Sequence, residues 1–147
     1  MFRFAADPEA TLMTAPDGRE LVAFAHNKFG YVVLCLDPAT GQVVDLVLMP
    51  DRTVALGPAM VNSSLAQFVA TTTEAIRRFP FHGDDADLDA CAQAADALRE
   101  QLIHIDPPAW EMDGYWDTLY WDIGVCDFRP GFFAPPPEPE HPSAPTS

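Results

Sequence analysis

The hydrophobic period of the chain changes part-way along. In the first half, apolar residues gather in short β-branched and aromatic runs: "LVAFAH" (21–26), "YVVLCL" (31–36) and "QVVDLVL" (42–48). Turn chemistry separates them, with Asp17-Gly18 before the first, Asn27 to Gly30 after it, and Asp37-Pro38-Ala39-Thr40-Gly41 after the second. This pattern predicts an antiparallel meander. A short fourth strand, "TVAL" (53–56), follows Pro50-Asp51, and a further strand around Leu12 and Met13 precedes the Asp17-Gly18 turn. In the third run Val44, Leu46 and Leu48 share one face while Val43, Asp45 and Val47 share the other, and Asp45 marks that second face as the wetter.

From Leu65 the period becomes helical. Leu65, Phe68, Val69, Ile76 and Phe79 form a stripe that stops at Pro80, with Arg77 and Arg78 in the last turn, where the helix dipole favours cations. A second helix is predicted from Asp87 to His104 on the stripe Leu88, Cys91, Ala92, Ala95, Leu98 and Leu102, and Asp106-Pro107-Pro108 stops it. A third, from Gly114 to Val125, carries Trp116, Leu119, Tyr120 and Ile123 on one side. The fold class is therefore α+β: a mainly antiparallel sheet of about four to six strands packed by about three helices. Residues 1–128 read as one domain, and 129–147, which include "APPPEPEHPSAPTS", as a proline-rich disordered tail.

At 147 residues and 48% hydrophobic, the chain can bury a core without disulfides. Its three cysteines, Cys35, Cys91 and Cys126, are odd in number and lie in or beside apolar segments, so reduced core residues are expected rather than a bridge. No apolar run approaches the roughly 18–20 residues that span a bilayer, and MFRFAADPEA has no secretory apolar region. A cytoplasmic protein without a membrane partner is expected.

Charge divides the chain more sharply than hydrophobicity does. The net charge is −14; residues 1–80 hold 8 acids and 6 bases, whereas residues 81–147 hold 14 acids and 2 bases. Such a second half repels nucleic acid and attracts basic partners at a rate that falls with salt.

The candidate chemistry is sparse. In "VNSSLAQF" (61–68) the serines lack the glycine flanks of a nucleophile elbow, while Ser64 with Gln67 has capping-box spacing, so Asn62, Ser63 and Ser64 are read as helix-capping residues. The Asn62-Ser63-Ser64 sequon matters only in the secretory pathway. In "HGDDADLDA", Asp85, Asp87 and Asp89 imitate a calcium loop, but position six is Ala90 and position twelve is Asp96. These acids read instead as a charged first turn or a site for a partner's cations. His26, His82, His104 and His141 show no ligand spacing, and neither C-x-x-C nor a glycine-rich phosphate loop occurs. No catalytic residue, metal or cofactor is expected. Trp121 lies about 140° around the third helix from Trp116, beside Asp117, so it is either an exposed anchor among acids or packed under Phe128, Phe132 or Phe133.

The order of these elements, with "CLDPATGQVVDL", "VNSSLAQFVATTTEAIRRF" and "YWDTLYWDI", resembles the SUKH superfamily of bacterial immunity proteins, specifically its fourth branch, over roughly residues 4–128. The resemblance implies an α+β fold and a protein that binds a cognate polymorphic toxin without catalysis. Many such toxins are nucleases or nucleic-acid deaminases. Members of the branch usually carry a further helix and a G-L-P-like turn ahead of the segment that is here MFRFAAD. The acids and aromatics of the second half are the partner-binding candidates for a basic toxin: Asp84, Asp85, Asp87, Asp89, Trp110, Glu111, Asp113, Asp117, Trp121 and Asp122. The alternative is an endogenous scaffold or regulatory module, for which the face of Val43, Asp45 and Val47 is the expected docking surface.

Overall fold

A computed structural model of the chain describes residues 5–27, 30–110 and 114–127, with side chains from Ala10 onward. Five strands, β1 (Ala5–Thr14), β2 (Glu20–His26), β3 (Val32–Leu36), β4 (Val43–Leu48) and β5 (Val54–Asn62), form one antiparallel meander in the order β1-β2-β3-β4-β5. Three helices follow: α1 (Leu65–Arg78), α2 (Leu88–Ile105) and α3 (Tyr115–Gly124), with a 3-10 turn at Pro107–Ala109 between the last two. The expected α+β class and the meander are both present.

The Asp37-Pro38-Ala39-Thr40-Gly41 stretch works as a turn through its first residue. Asp37 Oδ1 accepts the Ala39 N–H at 2.9 Å, its carbonyl accepts the Gly41 N–H at 2.8 Å, and Gly41 takes the left-handed φ of 76° that closes the turn. Arg19 Nη1 donates to the other Asp37 oxygen at 2.8 Å, tying the β1–β2 turn to the β3–β4 turn. The buried carboxylate thus has a partner on each oxygen.

β5 is longer than the predicted 53–56 strand and runs to Asn62, leaving only Ser63 and Ser64 before α1. The sequence hides this extension because Gly57-Pro58 reads as a break. Proline is tolerated here since β5 is an edge strand that pairs only with β4, and the β4–β5 register shifts between the Asp45↔Ala59 and Val47↔Leu56 pairs. Gly57 has φ 102°, and a Cβ there would come within 2.6 Å of the Asp45 carbonyl oxygen. The opposite edge, β1, has a register break of its own between Ala6 and Thr11, across Pro8.

The two sheet faces are both apolar, and the helices cover the one expected to be wetter. Val43, Leu34 and Ala25 pack with Val61, Ala75, Ala95, Leu98, Leu102, Trp116, Leu119 and Ile123. Val44, Leu46 and Leu48 join Leu21, Ala23, Val33 and Cys35 in a second cluster on the reverse face. Asp45 was a misleading marker: it sits half-buried on the helix-covered face, where desolvation raises its pKa above the ordinary carboxylate value. Burial, followed by the charge of Asp45, pushes the Tyr115 phenol well up and the Cys35 thiol up to about 11. The Val43, Asp45, Val47 face therefore provides no open docking surface.

Helix α1 is also rotated from its expected setting. Its buried residues are Thr71 and Ala75, with Phe68 packed edge-on against Phe24 at 5.7 Å. Leu65 (44% exposed), Val69 (56%) and Ile76 (69%) face outward instead of forming the core stripe. Small inward residues contribute little to a pattern read from large apolar letters.

Candidate functional site

The strand-to-helix joint is a polar node that positions everything beyond it. Ser64 is the N-cap of α1 at the predicted spacing: its Oγ accepts the Gln67 N–H at 3.2 Å and donates to the Gln67 side-chain Oε1 at 2.8 Å. Asn62 and Ser63, expected to share that role, are directed elsewhere. Fully buried Asp106 accepts from Asn62 Nδ2 (2.8 Å), the Ser63 N–H (2.8 Å) and Ser63 Oγ (2.6 Å). The Asn62 side-chain Oδ1 accepts from Trp116 Nε1 at 3.2 Å and from Thr71 Oγ1 at 3.3 Å, and the indole N–H also reaches the Val61 backbone carbonyl at 3.1 Å. One asparagine thereby joins β5, α1, the end of α2 and α3.

The node sets where α3 lies, and α3 runs back along α2. Tyr120 donates to Asp96 Oδ1 at 3.0 Å, Gly124 lies beside Ala95, and Cys126 is joined to Cys91. This bridge corrects the expectation of three reduced core cysteines; Cys35 is free and buried as expected. The two partners are 35 residues apart, and only the antiparallel return of α3 brings their Cα atoms to 5.5 Å. Nothing in linear spacing reveals such a pairing.

The acids and aromatics gather along this α2–α3 layer. Asp84, Asp85, Asp87 and Asp89 are exposed, and Asp87 is the N-cap of α2, its Oδ1 accepting the Ala90 N–H at 2.9 Å. Ala90 and Asp96 lie inside α2, so the calcium-like alternation forms no loop. A shallow hollow lined by Ala86, Asp87, Leu88, Asp89, Val125 and Cys126 brings this acidic end against the C-terminus of α3. Further along, Arg99 stacks over Trp110 (5.4 Å) and Tyr120 (5.8 Å), whose rings meet edge to face at 5.8 Å. The hydrogen bond to Asp96 holds the Tyr120 phenol above its ordinary pKa.

Trp121 is 60% exposed and meets Tyr120 edge to face at 5.9 Å. Asp117 lies within about 40° of it around the helix, whereas Asp122 lies about 100° away. Desolvation raises the pKa of the half-buried Asp122 carboxyl. Glu111, Asp113, Phe128, Phe132, Phe133 and the 129–147 segment lie outside the described residues. Leu65, Val69 and Ile76 form a second exposed surface that the sequence had assigned to the core.

One further cluster was missed. A ring nitrogen of His82 and the sulfurs of Cys91 and Cys126 lie within 4.8 Å of one another. No described helix is long and apolar enough to cross a membrane. No curated protein and no solved structure matches the chain. A family model described as SUKH-4 immunity protein matches residues 3–122, from the first strand almost to the end of α3. With the five-stranded meander and its helical layer matched together, the chain belongs to the SUKH-4 immunity protein family.

Proposed function

We propose that this protein binds and neutralises a cognate polymorphic toxin with a basic surface, without catalysis, through the α2–α3 face. The observation that carries this reading is Trp121, a large aromatic left 60% exposed beside Asp117 on the half of the chain that holds 14 acids and 2 bases. An exposed indole beside an acid has the composition of an interface hot spot, and the acids of this half add long-range attraction that speeds encounter. Tyr120 meets it edge to face and is itself held by Trp110 and Arg99, so the neighbour that supports the indole is already ordered. A basic nuclease or deaminase would meet these carboxylates where it otherwise meets phosphates. The serine hydroxyls are committed to the Ser64 cap and to Asp106, in keeping with a binding rather than a hydrolytic role. Co-expression with the toxin encoded next to this gene is the test: protection is expected, and it should weaken for Trp121→Ala and for Asp87 and Asp89 changed together to lysine. Equal killing with and without the protein ends the proposal.

A second reading, a scaffold or regulatory module, would use another surface. The exposed Leu65, Val69 and Ile76 of α1 favour it, since they offer an uncharged apolar face. Stable capture of a housekeeping partner from cells lacking the toxin gene, abolished by Val69→Asp, would support this reading over the first.

A further inference from the structure

We propose that His82, Cys91 and Cys126 form a zinc site that opens when the Cys91–Cys126 disulfide is reduced. Three separate segments converge there: the loop after α1 supplies His82, the first turn of α2 supplies Cys91, and the residues just past α3 supply Cys126. Two thiolates and an imidazole are the donor set of zinc, and they discriminate against the hard cations that the nearby carboxylates would hold.

The histidine is prepared for a ligand. Its Nδ1 lies 3.2 Å from the Gly83 carbonyl oxygen, which can only accept, so Nδ1 carries the proton and Nε2 carries the lone pair. That Nε2 is buried and has no hydrogen-bond partner among the described residues. A ring held by a backbone carbonyl through one nitrogen, with the other presented free, is the usual outer arrangement of a metal-bound histidine.

The distances also fit. In a tetrahedral site with Zn–S near 2.3 Å and Zn–N near 2.0–2.1 Å, ligand atoms sit roughly 3.5–3.8 Å apart. A ring nitrogen of His82 and the two sulfurs fall within 4.8 Å of one another, so separating the sulfurs and a shift of about an ångström complete the geometry. Cys91 is fully buried and fixed in α2, whereas Cys126 is half-buried and just past the helix end, where it can move. Its φ of 61° is that of the residue that ends a helix, with the Asp127 N–H returning to the Asp122 carbonyl at 2.9 Å. The hollow over Cys126 leaves room for water as the fourth ligand.

The chemistry balances in two steps. A dithiol reductant gives two electrons and two protons to the disulfide, yielding the Cys91 and Cys126 thiols and the reductant's own disulfide. Zinc then binds both sulfurs as thiolates and the neutral His82 ring, releasing two protons. Either state, disulfide or zinc, fastens the acidic start of α2 to the end of α3.

The test uses the full chain in two redox states. After reduction with a phosphine and its removal, zinc is titrated against a chromophoric chelator, and cobalt(II) is substituted to read the sulfur-to-cobalt charge-transfer band. One equivalent bound by the reduced chain, with that band present, and none bound by the oxidised chain is the expected result. His82→Ala and Cys126→Ser should each weaken zinc binding by more than the roughly 10- to 100-fold that loss of an outer-shell partner causes. Circular dichroism checks that each variant is folded, and Cys126→Ala replaces Cys126→Ser if the latter is not. Absence of binding by a folded, reduced chain overturns the proposal. Equal binding by the oxidised chain also overturns it, because the aspartates alone would then hold the ion. Unchanged affinity in His82→Ala overturns the three-ligand site.

Discussion

Substituting Asp106 separates the worth of the polar node from that of the packing around it. Asp106→Ala removes the acceptor of three donors, of which Asn62 Nδ2 and the Ser63 N–H cannot easily turn elsewhere. The Ser63 hydroxyl can rotate. Each buried donor left without a partner costs about 1–3 kcal/mol, so the variant should lose about 3–4 kcal/mol, or roughly 10 °C in Tm for a chain of this size. Asp106→Asn behaves differently. Its single oxygen can take the place of Oδ2, which accepts both Asn62 Nδ2 and the Ser63 N–H, while its amide N–H donates to Ser63 Oγ. Every group keeps a partner, and the expected loss is about 1 kcal/mol or less. Urea unfolding followed by tryptophan fluorescence reads both, because Trp116 belongs to the same node, and a shift in midpoint at unchanged slope identifies a stability change. Equal losses in the two variants would refute the hydrogen-bond accounting and leave the carboxylate charge as the important quantity. A loss below about 1 kcal/mol in Asp106→Ala would show that the joint relaxes around the gap.

Other outcomes follow from the same geometry. Asp45 has a folded-state pKa raised by burial, so its charge costs stability above that pKa and the cost is relieved as pH falls through it. Asp45→Asn should therefore be more stable than the parent at pH 7, with the difference shrinking towards the ordinary carboxylate pKa of about 4; thermal melts across that range check it. Gly57→Ala places a Cβ 2.6 Å from the Asp45 carbonyl oxygen at a φ of 102°, and a loss of about 1–3 kcal/mol in urea titrations is expected. Trp121→Ala should weaken toxin binding by about 2 kcal/mol, chiefly in dissociation rate, while leaving Tm nearly unchanged. Raising salt from about 50 to 500 mM should instead slow association and alter dissociation less; a flat association rate argues against acidic steering.

The elements were legible because their signals are local. Turn residues such as Asp37 and Gly41 act on neighbours, the Ser64 cap acts over three residues, and Pro80 stops a helix wherever the rest of the chain lies. The setting of each element was not legible, because it depends on what arrives from far away. Asp45 reads as a solvent-facing acid until the helical layer packs on its face, and Leu65 reads as core until Thr71 and Ala75 turn inward in its place. Asn62 and Ser63 look like capping residues because their real partner, Asp106, is 43 or 44 positions away. The bridge between Cys91 and Cys126, with His82 beside it, was concealed for the same reason.

Among the described residues, the meander ends in two edge strands, β1 and β5, and each is interrupted by a proline and a shift in register. Such interruptions deny an incoming strand the continuous ladder it would need, which guards against self-association through the sheet. For a partner, the consequence is selective. Strand addition rewards almost any extended peptide through its main chain, whereas a face of side chains rewards only a matching set of side chains. If recognition rests on the helices, as proposed, its specificity can change one substitution at a time while the sheet beneath stays untouched.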